Sequence, residues 1–217
     1  TPKDLEGKTV GGPASDAALK LFPGFAKMAN IDASKVNITN MAPNLREQML
    51  ARDQVDATFG YVTTVSFSAK AMGMDPTKDL RFIRYGQYGM DLYSNAVFFA
   101  RDFVKDNPKA VAGFVRALNR AIGDVIANPE AGMDAVMKRE PLLKREVEKE
   151  RLMFTLRNDM SHPEVARIGL GDVDDKRLAK AIDILVDANQ LSRTPTPAEV
   201  FDRSFLPPRD QRPSKLF

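Results

Sequence analysis

No cysteine occurs among the 217 residues, and that single absence removes disulfides, thiolate metal sites and cysteine nucleophiles together. It leaves the compartment open, because a cysteine-free chain suits the periplasm and the cytoplasm equally. Long apolar runs are missing too: AVFFA at 96–100 is typical of the longest, against the ~20 residues a bilayer-crossing helix requires. The first residues show no basic start, apolar stretch and small-residue cleavage site, so an export leader is expected to be removed or to lie outside this sequence. Charge of one sign is concentrated nowhere. Thirty-two Lys and Arg are interleaved with 29 Asp and Glu for a net +3, which argues against nucleic acid as a partner. Even the densest cluster, KREPLLKREVEKER at 138–151, mixes both signs at helical spacing, as a solvated helix face does.

Catalytic equipment is equally sparse. The sequence holds no GxSxG elbow, no glycine-rich phosphate loop closing on Gly-Lys-Ser/Thr and no HExxH zinc helix. Its one histidine, His162, stands before Pro163 in a polar stretch between helices and reads as an exposed loop residue rather than a catalytic base. The paired acids Asp174 and Asp175 suit the start of a helix better than a metal pair. No catalytic residue, metal or cofactor is expected.

What the chain does contain is 43% apolar residues in an ordered pattern, enough for a buried core. KTVGG at 8–12 reads as a buried strand, followed by a turn and the helical periodicity of Ala17, Leu21, Phe25 and Met28. VNITN at 36–40 and the helix opened by Pro43 and Asn44 repeat that unit, and DATFG at 56–60 with a helix over 63–72 repeats it again. Leu80 to Tyr85 predicts a fourth strand, ahead of the loop GQYGMD. Strands separated by helices of ten or so residues require crossover connections, hence an α/β fold with a mainly parallel sheet. SNAVFFAR from Ser94 predicts one longer strand, after which everything reads as helix: a long one from Pro108 to Asn128, then segments near 130–139, 142–158, 174–189 and 197–204. Pro207, Pro208 and Pro213 predict an extended tail, mobile at its very end. The second half thus offers one strand and many helices with no sheet of its own to cover.

The runs DLEGKTVGGPAS, LREQMLARDQVDATFGY and ARDFVKDNPKAVAGFVRALNRAIGDVIANPEAG, with the tail AEVFDRSFLP, resemble in order and spacing the bacterial extracytoplasmic solute-binding proteins of the nitrate, sulfonate, taurine and pyrimidine-precursor family. That resemblance implies a type II periplasmic-binding-protein fold: two α/β lobes with mainly parallel sheets, joined by two crossing segments, the ligand closed between them. It implies that residues 1–88 are the complete second lobe, and that 89–217 are the hinge return strand and the helical part of an incomplete first lobe. The first lobe's opening units, on the order of 90 residues on a domain-size scale, are expected upstream of Thr1. It also implies a periplasmic or extracytoplasmic location, a small-molecule ligand and an ABC permease in the membrane as partners, and binding without catalysis. A lobe lacking its first strands would expose an apolar face, which a second copy could cover as a homodimer.

Open parallel sheets bind ligands beyond the carboxyl ends of their strands. Three segments of this sequence reach that edge: Gly12 to Asp16, with Ala14, Ser15 and Asp16 leading into a helix; Asn44; and Gly60 with Tyr61. Ser, Asp and Asn also serve as plain helix caps, and both roles stay open here. All four tyrosines, Tyr61, Tyr85, Tyr88 and Tyr93, fall within 33 residues bracketing the expected hinge at 86–94, and a Tyr ring with its polar tip suits a planar polar ligand. Tyr85, inside the expected strand, is the one most suited to the core. The candidate ligand-binding residues are therefore Ala14, Ser15, Asp16, Asn44, Gly60, Tyr61, Tyr88, Asp91 and Tyr93.

Asp16 and Asp91, with no Arg or Lys between residues 54 and 69, disfavour an anion and favour a pyrimidine-like or other amine-bearing heterocycle. The segment YGQYGMDLYSNAVFF resembles the thiamine-pyrimidine branch of the same family. Two alternatives remain at this stage: a ligand-sensing effector domain of a LysR-type regulator, and an enzyme like the eukaryotic pyrimidine-precursor synthases of this fold, for whose reactive histidine no equivalent stands in the first half of the chain.

Overall fold

The computed structural model describes residues 1–216. The described chain divides into two compact units, one of residues 1–93 with 179–195, the other of 94–178 with 196–216. The first is a mixed α/β unit. Strand β1 (Thr9–Gly12) leads to helix α1 (Ala17–Met28), β2 (Asn37–Asn40) to α2 (Arg46–Ala51), and β3 (Ala57–Thr58) to α3 (Val62–Ala71). All three strands are parallel in the order β2-β1-β3, with Val10 level with Ile38 on one side and Ala57 on the other. Asp16 starts α1 because its carboxylate accepts the Ala18 amide at 2.8 Å, satisfying one of the helix's orphan donors.

The core of this unit lies between β1 and α1, where Val10, Phe22, Phe25, Ala26, Ile31, Val36, Phe59 and Met90 are buried together. Phe25 stacks on Tyr85 with ring centroids 3.9 Å apart, and the Tyr85 hydroxyl donates to the Ala18 carbonyl at 2.9 Å. Helix α9 (Asp175–Asn189) contributes its later turns to the same unit. Ile184 packs on the core, and Lys27 on α1 pairs with Asp187 at 2.8 Å. Gly24 is required where these helices meet, since a β-carbon there would stand 2.7 Å from that of Ala188.

The strand expected at 80–85 does not form. Its chain runs extended into a short 3-10 turn, Tyr85–Tyr88, and Ile83 and Tyr85 reach the core by their side chains alone. The neighbouring β3 is only two residues long, so it offers almost no ladder on which another strand could pair.

In the second unit, the strand expected from Ser94 is likewise absent: residues 94–100 are unpaired coil among the described residues, with Phe98 90% exposed. Among the described residues this unit has no sheet for it to join. Helices follow: α4 (Arg101–Asp106), α5 (Pro108–Ala127), α6 (Pro129–Arg139), α7 (Arg145–Phe154) running into a π-helical turn at Thr155–Asp159, α8 (Pro163–Ile168), the start of α9, and α10 (Pro197–Val200). Pro108, Pro129, Pro163 and Pro197 each open a helix, where a missing N–H costs nothing. Helix α8 was not foreseen. His162 caps it, its Nδ1 accepting the Glu164 amide at 3.2 Å. Asp174 caps α9 by accepting from the amides of Lys176 and Arg177, which is the helix-start role expected of the acid pair.

The tail also departs from expectation. Arg212 is buried, donating to the Leu170 carbonyl and to Asp172 at 3.3 Å each, the Leu170 amide donates to the Pro213 carbonyl at 2.8 Å, and Leu216 is buried. Backbone and ionic contacts dock a segment whose prolines alone predict a free end. No helix among the described residues is long and apolar enough to cross a membrane.

Burial lifts the Tyr85 phenol well above its ordinary value, with the negative Asp16 adding to the effect. The unfolded chain therefore ionises at Tyr85 before the folded one does, so this part of the stability is complete below pH 10 and is lost as the pH climbs further. Tyr85→Phe is expected to cost about 1 kcal/mol at neutral pH through the lost hydrogen bond, and to lose less than the parent above pH 10. Urea unfolding at pH 7 and pH 11 checks both.

Candidate functional site

Because the strands are parallel, Gly12, Asn40 and Thr58 end at one edge of the sheet, and the three connections to α1, α2 and α3 leave from it. The first connection is a tight turn in which the Asp16 amide donates to the Pro13 carbonyl at 2.8 Å. It is tied to the second by the Ala14 amide, which donates to Asn40 Oδ1 at 2.9 Å. Ala14 and Ser15 are exposed on its crest, and Asp16 is half-buried below them. Asn44 is exposed in a 3-10 turn, Pro43–Leu45, that precedes α2. Its capping alternative is not realised, since Ala42 and Leu45 hold the N-cap positions of that turn and of α2. Tyr61 is the N-terminal boundary of α3 and stands 50% exposed.

Beneath these three connections lies a group that the sequence reading missed. Arg46, the first residue of α2, is 7% exposed and turns its guanidinium inward. Its Nη1 donates to Asp16 Oδ2 at 3.3 Å and to the Phe59 carbonyl at 3.0 Å, and its Nε donates to Glu47 Oε1 at 3.1 Å. Glu47 is itself 5% exposed. One side chain from the second connection thus binds the helix cap of the first and the backbone of the third. Gly60 follows from this: a β-carbon there would sit 2.6 Å from Nη1 of Arg46 and 2.8 Å from Cγ2 of Val65. The absence of basic residues between 54 and 69 is a true observation about the third connection, but the cation is supplied by the second. Only an Arg two residues after the helix-opening Pro43-Asn44 signal hinted at it.

Ala14, Ser15, Asp16, Asn44, Gly60 and Tyr61 therefore lie on the three connections at one sheet edge. Tyr88, Asp91 and Tyr93 lie after the sheet, in the 3-10 turn and the extended chain that follows it. The Tyr88 ring meets Phe25 edge-on at 6.0 Å, and Phe25 is nine residues along α1 from Asp16, roughly 13 Å at the helical rise. Two hollows lie elsewhere: one of about 240 Å³ around Lys8, Asp56 and Arg81, and one of about 360 Å³ in the helical unit around Asn119, Arg120 and Arg212. No tyrosine lines either. Taken by itself, the sheet edge is an open shelf of amides, hydroxyl, amide side chain and one exposed ring over a buried ionic floor. Among the described residues no cluster of His, Asp and Glu has the makings of a metal site.

Residues 1–132, the whole run of β/α repeats through α5 and the first residues of α6, match a profile described as NMT1/THI5 like. The chain belongs to the NMT1/THI5-like family. It is also similar to a riboflavin-binding protein, RibY, of Chloroflexus aurantiacus, at 24% identity over 94% of this chain. The chain spans 57% of the length of that relative. Family and relative together support a solute-binding role, and the resemblance noted in the sequence holds.

Gly60→Ala is expected to destabilise by about 1–3 kcal/mol, because the new methyl must displace a side chain already held by three partners. The loss should shrink in an Arg46→Met background, where the guanidinium no longer obstructs and only Val65 remains close. A double-mutant cycle by chemical denaturation measures this coupling.

Proposed function

We propose that the protein captures a small, flat, polar solute outside the cytoplasm and delivers it to an ABC importer, catalysing no reaction. The observation that carries this reading is the shelf at the carboxyl edge of the parallel sheet, where three connections present unreacted polar groups and an exposed tyrosine and no nucleophile-base pair. Family membership supports capture over chemistry. In this reading residues 1–88 act as one ligand-binding lobe and 89–217 as part of another. The segment 86–94 is the hinge, and closure is the signal that the permease recognises.

Ala14, Ser15, Asn44 and Gly60 offer hydrogen bonds to the rim of the solute, and Tyr61 offers its ring face. Tyr88, Asp91 and Tyr93 belong to the hinge side and complete the grip on closure. An amine-bearing heterocycle fits best, since the negative charge of Asp16 beneath the shelf favours ring N–H or amino donors. The riboflavin named for the relative is a fused, flat heterocycle of that general kind.

The test is calorimetric titration of the full-length protein with riboflavin, cytosine, ethanesulfonate and nitrate. Saturable binding of a heterocycle is the expected result; heat from none of the four removes the support for this function. Tyr61→Ala is expected to weaken the heterocycle on the order of tenfold, the size of one aromatic contact and its buried area, with the melting temperature of the unliganded protein unchanged.

A further inference from the structure

Arg46 has more structural partners than a helix-opening residue on a surface needs. It is buried, and its guanidinium touches a carboxylate of the first connection, the neighbouring carboxylate of its own helix, and a main-chain carbonyl of the third. Asp16 and Glu47 are nearly as enclosed, their side chains only 10% and 7% exposed. Two carboxylates around one guanidinium leave the cluster with one negative charge, in a place where the dielectric is low and charge acts over a longer range than in water. The position of each connection is set by its distance to the same fork of N–H groups, which is rigid and planar and cannot satisfy three partners in more than one arrangement.

We infer that Arg46 is a positioning residue that locks the three ligand-facing connections into a single geometry, and that the excess carboxylate beneath them sets the ligand class by excluding oxyanions. The second half rests on the solute-binding reading; the first does not. Arg46 spends its charge on the floor, so an anion arriving at the shelf meets a net negative cluster, whereas a heterocycle bearing N–H or amino groups meets a field that favours its donors. The amides at the helix N-termini would otherwise invite an oxyanion, and the cluster is what turns that preference around.

Two variants separate these roles. Arg46→Lys keeps a cation but loses the fork, so it should raise amide hydrogen exchange about tenfold or more at residues 12–16 and 59–61, which lie on other connections, without global unfolding. This readout needs no ligand. Faster exchange confined to 46–51 would overturn the positioning role. Asp16→Asn retains a good helix cap and removes the excess charge. In calorimetric titrations of the full-length protein it should shift the affinity ratio of ethanesulfonate to riboflavin or cytosine by about tenfold toward the sulfonate. A parent protein that binds ethanesulfonate or nitrate more tightly than either heterocycle, or a ratio unchanged by Asp16→Asn, would overturn the charge selection. Should no probe bind the parent while the exchange pattern appears as described, the solute-binding reading fails and the positioning role stands.

Discussion

A single buried guanidinium organises the functional end of the α/β unit. A parallel sheet guarantees only that its strands finish at one edge; it does not fix how the connections leaving that edge stand relative to one another. Here Arg46 does so, by presenting donors to Asp16, Glu47 and the Phe59 carbonyl. Breaking a buried ion pair from one side leaves an uncompensated charge worth about 3–5 kcal/mol. The arrangement is therefore enforced by a penalty rather than by a gain, and it dictates the residue at a neighbouring position, Gly60, where a β-carbon would meet the guanidinium.

The β/α repeats were legible because their signals are local. Glycine and proline punctuate the strand ends, α1 carries a clear apolar stripe at Leu21, Phe25 and Met28, and Pro108 marks the start of the long helix. The two strands that failed, at 80–85 and 94–100, have the composition of strands but no partner ladder, and strand propensity is largely a statement about neighbours. Both stretches are rich in aromatic and branched residues, which is why they misled. Helix α8 hid behind a short, polar sequence whose only start signal was His162-Pro163. The docked tail escaped because Arg212 finds Asp172 and Leu170 some forty positions earlier, a pairing with no local trace.

The candidate site divides the same way. Ser15, Asp16, Asn44 and Tyr61 could be picked out from the rule that strands of a parallel sheet end together. Tyr85 could be assigned to the core, where it stacks on Phe25. Arg46 could not, because its role depends on a carbonyl thirteen residues ahead and a carboxylate thirty behind. A charge survey along the sequence sees a basic residue beside an acidic one, Arg46-Glu47, and reads a surface pair. Burial converts the same two letters into a structural element.

The late turns of α9 have a further consequence. Asp187 and Ala188 reach back across about 160 positions to Lys27 and Gly24, so the core between β1 and α1 is closed by residues made long after the sheet itself. During synthesis at the ribosome the α/β half must wait, incompletely covered, while residues 94–178 of the helical unit emerge. Chain closure over such a span adds only logarithmically to the entropic cost, but it orders events in time: a nascent chain stopped before residue 179 would carry every strand of the sheet and still be unable to finish its core.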